Sequence, residues 1–237
     1  MIRVTENLQR VREAVQNEAY LADRDADSVR LLAVSKRHPL SAIAAAYDSG
    51  QRDFGENFVD EGIAKIQRFR PNDVRWHFIG AIQSNKTRDI AAHFDWVHTV
   101  DRAKIATRLN AQRADAARAL QVCLQVNIDN EPQKAGVTPE QLRELAAVVA
   151  TLPRLTLRGL MCLPRQRSAA QQHEPFRQLA ALLAELHDEH PDMDTLSMGM
   201  SNDMGAAIHQ GATIVRVGTA IFGERPEHPP HPSPNVG

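Results

Sequence analysis

Eight short apolar runs punctuate the chain: RLLAVSK (30–36), RDFGEN (52–57), RWHFIG (75–80), DWVHTV (95–100), QVCLQVNI (121–128), LTLRGLMCL (155–163), DTLSMGM (194–200) and ATIVRVG (212–218). Each has the length of a strand and is bounded by polar or turn residues. Segments of helical period lie between them, among them LSAIAAAYDSG and TPEQLRELAAVVATL. Alternating strand and helix builds parallel βαβ units, because a parallel strand needs a long crossover before it. Eight units allow a doubly wound sheet or a closed (β/α)8 barrel of the TIM type. The count of eight, the Gly-ended strands and the lack of a dinucleotide fingerprint after the first strand favour the barrel. A further helix over 4–22 precedes the first strand. Helix caps are expected at Asp101, at Thr138 with Gln141 three residues on, and at Ser201. The barrel occupies 1–225 as a single domain, and the Pro-rich tail over 226–237 is expected to be disordered.

Composition narrows the partners. The formal net charge is −1 and 43% of the 237 residues are hydrophobic, a balance that suggests neither nucleic acid nor a membrane surface. No apolar stretch approaches the ~20 residues of a membrane span, and the charged N-terminus has no signal-peptide core. The two cysteines, Cys123 and Cys162, sit inside apolar runs, which predicts reduced, buried thiols and a cytoplasmic location. A monomer is expected. The ten histidines are scattered. His228 and His231 have loose metal-like spacing, but a disordered tail is the better account of them, and no metal site is expected.

The functional face of such a barrel is built where strands end and loops begin. The first strand runs out at Ser35 and Lys36, the second at Asn57, and the third carries His77. In LSMGMSNDMGAAI the seventh strand turns at Gly199 and reaches Ser201, and in IVRVGTAIFG the eighth ends on Gly218 and Thr219. Many barrel enzymes hold a phosphate between the loops after strands seven and eight. Two donor-rich, Gly-containing ends there match that arrangement, although two ordinary turns would also use Gly and Ser. Arg216 alternates with Val215 and Val217, which points it into the barrel. A charge there is costly unless paired. It either pairs with an acidic neighbour such as Glu56 or bonds a ligand over the mouth. Lys36 is a solvated strand-end lysine or a nucleophile. A lysine in a desolvated, cationic site has a lowered pKa and forms Schiff bases. Pyridoxal 5'-phosphate (PLP) offers an aldehyde for Lys36 and a phosphate for Ser201, Gly218 and Thr219.

The motifs LLAVSK, FGEN, WHFIGAIQSNK, HTVDR, LRGLMCLP, LSMGMSNDM and VRVGTAIFG together resemble those of the pyridoxal phosphate homeostasis proteins. Those are single-domain barrels related to the N-terminal domain of alanine racemase. The resemblance implies a Schiff base at Lys36, phosphate contacts from Ser201, Gly218 and Thr219, and Arg216 facing the pyridine nitrogen. It also implies that Asn57 lies near the cofactor and that His77 and Met200 line its pocket. Such proteins keep PLP levels in balance with little turnover, and apo forms of PLP enzymes are candidate recipients. Departures are small: Ala81-Ile82 where Pro-Leu is common, and Cys162 where Ala is usual.

Two rival functions remain at this stage. An amino-acid racemase needs an acid/base on the second face of its substrate. In alanine racemase a tyrosine of a C-terminal β-domain supplies it. This chain is expected to lack that domain, and its two tyrosines, Tyr20 and Tyr47, fall in helices flanking strand one. An aldolase-type enzyme acting on phosphorylated sugars would need a proton relay, for which Glu56 is the candidate.

Overall fold

The eight apolar runs form eight parallel strands: β1 (Arg30–Val34), β2 (Asp53–Glu56), β3 (Arg75–Phe78), β4 (Trp96–Val100), β5 (Leu120–Val126), β6 (Leu155–Cys162), β7 (Thr195–Ser197) and β8 (Ile214–Val217). They pair in chain order, and β8 closes onto β1 with Leu32 opposite Arg216. The computed structural model describes residues 2–224, and the expectations for the tail, including His228 and His231, lie outside them. The strands stop one to three residues short of most apolar runs. The residues left over, such as Lys36 and Asn57, leave the ladder to build the mouth.

Helices follow the strands: α2 (Leu40–Asp48), α3 (Val59–Arg68), α4 (Thr87–His93), α5 (Ala103–Gln112), α6 (Pro139–Ala150), α7 (Glu174–His187), α8 (Met204–His209) and α9 (Thr219–Phe222). The helix before β1 is α1 (Ile2–Leu21). Its buried stripe of Val4, Leu8, Val11, Val15 and Ala19 has helical spacing. It is tied to α8 and α9. Asn7 Nδ2 donates to the Ile221 carbonyl at 3.0 Å, and His209 Nε2 meets Glu18 Oε2 at 3.1 Å.

Strand alternation creates two apolar regions. Outward residues such as Phe54, Trp76, Phe78, Val97, Leu124 and Val215 pack beneath the helices. Inward residues Leu32, Val34, Ile79, Trp96, Cys123, Met161 and Ile214 form a separate cluster in the lumen. Cys123 and Cys162 are both free and buried, and burial pushes each thiol pKa up to about 12. They stay protonated and unreactive. Among the described residues no helix is long and apolar enough to cross a membrane.

Of the expected caps, Thr138 holds: its backbone N–H donates to Gln141 Oε1 at 3.4 Å at the start of α6. The other two are corrected. Arg102 is the cap of α5, while Asp101 is engaged by the Arg102 guanidinium at 2.6 Å. Asp203 is the cap of α8, and its Oδ1 accepts the Met200 N–H at 2.6 Å to close the turn that carries Ser201.

Gly159 shows how closely β6 and β7 approach. A Cβ there would lie 1.8 Å from the Thr195 carbonyl oxygen, in rigid backbone. Gly159→Ala should therefore destabilise the barrel by about 3 kcal/mol, the upper range for overpacking. Urea unfolding measures it, and an unchanged midpoint would show that the strand pair can open at no cost.

Candidate functional site

At the C-terminal ends of the strands a cavity of about 240 Å³ opens over the lumen. That is below the ~300–1,000 Å³ of drug-sized sites, so it suits one substituted ring and not a dinucleotide. Its polar lining comes from Lys36, His38, Asn57, Ser201, Arg216 and Thr219. Val34, Ile79, Met161, Leu163 and Met200 supply apolar walls, and Gly218 is bare backbone between them. Seven of the eight residues singled out from the sequence thus meet in one place: Lys36, Asn57, Met200, Ser201, Arg216, Gly218 and Thr219.

Arg216 is buried, as alternation requires, but not against a carboxylate. Its Nη1 donates to the Ser197 carbonyl at 2.5 Å and to Ser197 Oγ at 2.8 Å, and its Nη2 donates to the Cys162 carbonyl at 2.9 Å. Glu56, the ion-pair candidate, faces α3 instead and pairs with Lys65 at 2.7 Å. The remaining Arg216 N–H groups have no partner among the described residues. Burial lowers the arginine pKa from its usual value. Asn57 Oδ1 is buried with no hydrogen-bond partner among the described residues. Buried acceptors are normally satisfied, so this one awaits a donor.

His77 is the exception. It points into the lumen and, against the expectation, does not line the cavity. Its ring is fully buried, stacked on Trp96 at 5.4 Å and bonded to His98 and Asp53. Arg216, also inward-facing, has the longer side chain and does line the cavity. His38 was missed. It lies two residues beyond Lys36, is 7% exposed, and stacks on Phe222 at 5.1 Å. Its position in the polar stretch SKRHPL gave no sign of burial.

Comparison with known proteins identifies the family. The family model for the alanine racemase N-terminal domain matches residues 4–226. The Escherichia coli K12 pyridoxal phosphate homeostasis protein is 52% identical over 94% of this chain and 97% of its own. The homologue of that name from Vibrio alginolyticus is 50% identical over 95% and 99%. This chain belongs to the pyridoxal phosphate homeostasis proteins. The structure of PipY from Synechococcus elongatus with PLP bound superposes with a TM-score of 0.78 at 41% identity, covering 88% of this chain and 100% of that one. Alanine racemase from Clostridium difficile, at 14% identity and a TM-score of 0.71, shares the fold.

The turn that carries Lys36 is held from both sides. Ser35 is fully buried and its Oγ donates to Glu56 Oε1 at 2.6 Å. Lys65, from α3, spends its three N–H bonds on the Ser35 carbonyl, Glu56 Oε1 and Glu61 Oε1, each at 2.7 Å. Glu61 Oε1 also accepts the Arg37 N–H at 2.5 Å, and Arg37 sits at φ +64°. A non-glycine residue in that region is held there by its surroundings. The Glu61 and Lys65 spacing on α3 was the available signal for this clamp. Lys65→Met should cost about 3–5 kcal/mol, because it leaves the Glu56 carboxylate buried and unpaired. Adding Glu56→Gln, which removes the charge and keeps an acceptor for Ser35, should restore most of that in urea unfolding. An equal loss in the double variant would assign the effect to packing.

Proposed function

We propose that this chain binds PLP at the barrel mouth, with Lys36 as its Schiff-base lysine, and serves intracellular PLP homeostasis as a cytoplasmic monomer with little or no turnover. The observation that carries this reading is the single cavity that joins the Lys36 amine to the Ser201, Gly218 and Thr219 ends of the last two strands. The residues suit the cofactor in two further ways. A Cβ on Gly218 would lie 3.2 Å from the Val34 carbonyl oxygen, a tight fit, so glycine leaves the backbone open where a phosphate would approach. The partnerless Asn57 Oδ1 and the unspent Arg216 N–H groups are polar atoms awaiting a polar ligand.

When bound, PLP supplies an aldehyde for an amine and a ring able to withdraw electrons. The protein's own part is to hold it. Ser201 and Thr219 would hold the phosphate through their hydroxyls, and Arg216 would offer an N–H to the ring nitrogen. A guanidinium does not surrender its proton, so it would leave that nitrogen unprotonated and the ring a weaker electron sink than a carboxylate partner would. Release to apo-PLP enzymes is the homeostatic use of such a site.

The proton carriers weighed for the two rivals lie away from the cavity. Tyr20 is exposed on α1 and Tyr47 bonds Asp73 at 2.8 Å, and neither lines the cavity. Glu56, the aldolase relay candidate, is spent on Lys65 and Ser35.

Borohydride reduction of the PLP-loaded protein should fix the pyridoxyl mass on the peptide containing Lys36, and Lys36→Ala should abolish both that label and the yellow colour. A colourless wild-type protein that takes up no added PLP would end this reading.

Alanine incubated with the loaded protein should keep its configuration, because Lys36 serves one face and a general acid–base group on the other contributes about 10²–10⁴-fold. Chiral chromatography is the test. Racemization near an ordinary enzyme rate of ~10 s⁻¹ would identify a second proton carrier, with His38 the first residue to replace.

A further inference from the structure

Beneath the cavity, the lumen holds polar side chains that the function just proposed does not use. Asp53 opens β2 and Arg75 opens β3, at the end of the barrel opposite the mouth. Arg75 clasps the carboxylate, Nε to Oδ1 at 2.7 Å and Nη2 to Oδ2 at 2.6 Å. Asp53 Oδ1 meets His77 Nε2 at 3.0 Å, and His77 Nδ1 meets His98 Nε2 at 2.9 Å. His98 Nδ1 meets Ser197 Oγ at 2.7 Å, and Ser197 Oγ meets Arg216 Nη1 at 2.8 Å. His77, His98 and Ser197 are fully buried. The hydrogen bonds run unbroken from the far end of the barrel to the arginine at its mouth.

We propose that this chain has one fixed polarity, Arg216 to Ser197 to His98 to His77 to Asp53 from donor to acceptor, and that it positions the Arg216 guanidinium. Its relation to a cofactor ring rests on the function proposed above; its polarity does not.

The polarity follows from what each group can give. Arginine only donates, and an ionised carboxylate only accepts. Asp53, clasped by Arg75, therefore receives the His77 Nε2–H. A neutral imidazole then has only an acceptor left at Nδ1, so His98 must donate from Nε2. His98 Nδ1 is left as an acceptor, so the Ser197 hydroxyl donates to it and turns its lone pair to Arg216. The reverse order would put a second proton on His77 and leave the Ser197 hydroxyl proton without an acceptor among the described residues.

The surrounding charges favour neutral rings. His98 faces His77 and Arg216, with Arg30 and Asp53 farther off, and burial followed by these cations lowers its pKa well below the usual value. His77 faces Asp53, Arg30 and Asp95, and burial lowers its pKa although Asp53 opposes the shift. Burial alone would raise the Asp53 carboxyl, but the hydrogen bonds and charges of His77 and Arg75 bring it below the ordinary range.

Polarity fixes orientation. With its proton committed to His98, Ser197 can only accept from Arg216. Nη1 then spends both its hydrogens on Ser197, and the guanidinium plane cannot turn. Trp96, parallel to His77 within 12°, holds the relay's middle in place.

Nitrogen-15 NMR of the histidine rings in the cofactor-free full chain tests the polarity. Both His77 and His98 should be neutral Nε2–H tautomers from about pH 5 to 8, the range in which an ordinary histidine titrates. An Nδ1–H tautomer or a charged ring at either residue overturns it. Ser197→Ala tests the positioning. It should weaken PLP binding about tenfold, the effect of one hydrogen bond to a charged group, and shift the absorbance of the bound form. Ser197→Thr, which keeps the hydroxyl, should restore both. Unchanged affinity and absorbance in Ser197→Ala would remove the positioning role. A wild-type chain that takes up no PLP would instead sink the function and the positioning with it, while the tautomers decide the polarity on their own.

Discussion

The hydrogen bonds between the first strand and the last hold the mouth together. Their register sets Leu32 against Arg216 and Ala33 against Val217, so the segment that leaves β1 toward Lys36 rises beside the one that leaves β8 through Gly218. Two groups nearly the whole chain apart in sequence thereby share one wall of a cavity. An open sheet would leave those strands at opposite edges. Closure is thus what turns a strand-end lysine and a glycine-containing turn into one site, and α1 reinforces the same seam from outside through Asn7 and Glu18.

The same closure buries Arg216 in the lumen. Burying an unpaired guanidinium is costly. Here no carboxylate touches it. Three of its N–H groups reach two carbonyls and a hydroxyl, which meet the hydrogen-bonding need without neutralising the charge. Carbonyls leave the cation's field open toward the cavity, whereas a carboxylate would cancel it there. On the other side of β2 the opposite choice is made, and Glu56 and Lys65 neutralise each other beneath the turn of Lys36.

The architecture was legible because its signals are local and repeated. Every apolar run became a strand, even β7, whose three residues make a weak pattern alone. The strand-end rule then found five of the residues that line the cavity, Lys36, Asn57, Ser201, Gly218 and Thr219, since in a parallel barrel chain direction tells which end faces the mouth; alternation added Arg216 and the family resemblance Met200. What failed depended on depth and side-chain length. His77 and Arg216 both alternate inward, and nothing in RWHF or IVRV says that one ring stops short while the guanidinium reaches the cavity. The cap at Ser201 failed because Ser201 and Asp203 are both good caps two residues apart, and Asp203 also closes the preceding turn. The Glu61 and Lys65 spacing hinted at half of the clamp, but its reach from α3 to Ser35 spans 30 residues, and a lysine on an amphipathic helix reads as solvated.

The position of α1 has a consequence for how the protein is made. Its apolar stripe leaves the ribosome well before part of what covers it, α8 and α9. Until Ile221 emerges, that stripe is without its full cover, and the Asn7 side chain has no carbonyl to bind there. Chains that are still growing expose transient apolar surface of this kind. The docking of α1 therefore comes late in assembly, although the helix comes early in sequence, and a chain cut short before residue 204 would carry an amphipathic helix lacking the partners that mark the barrel as finished.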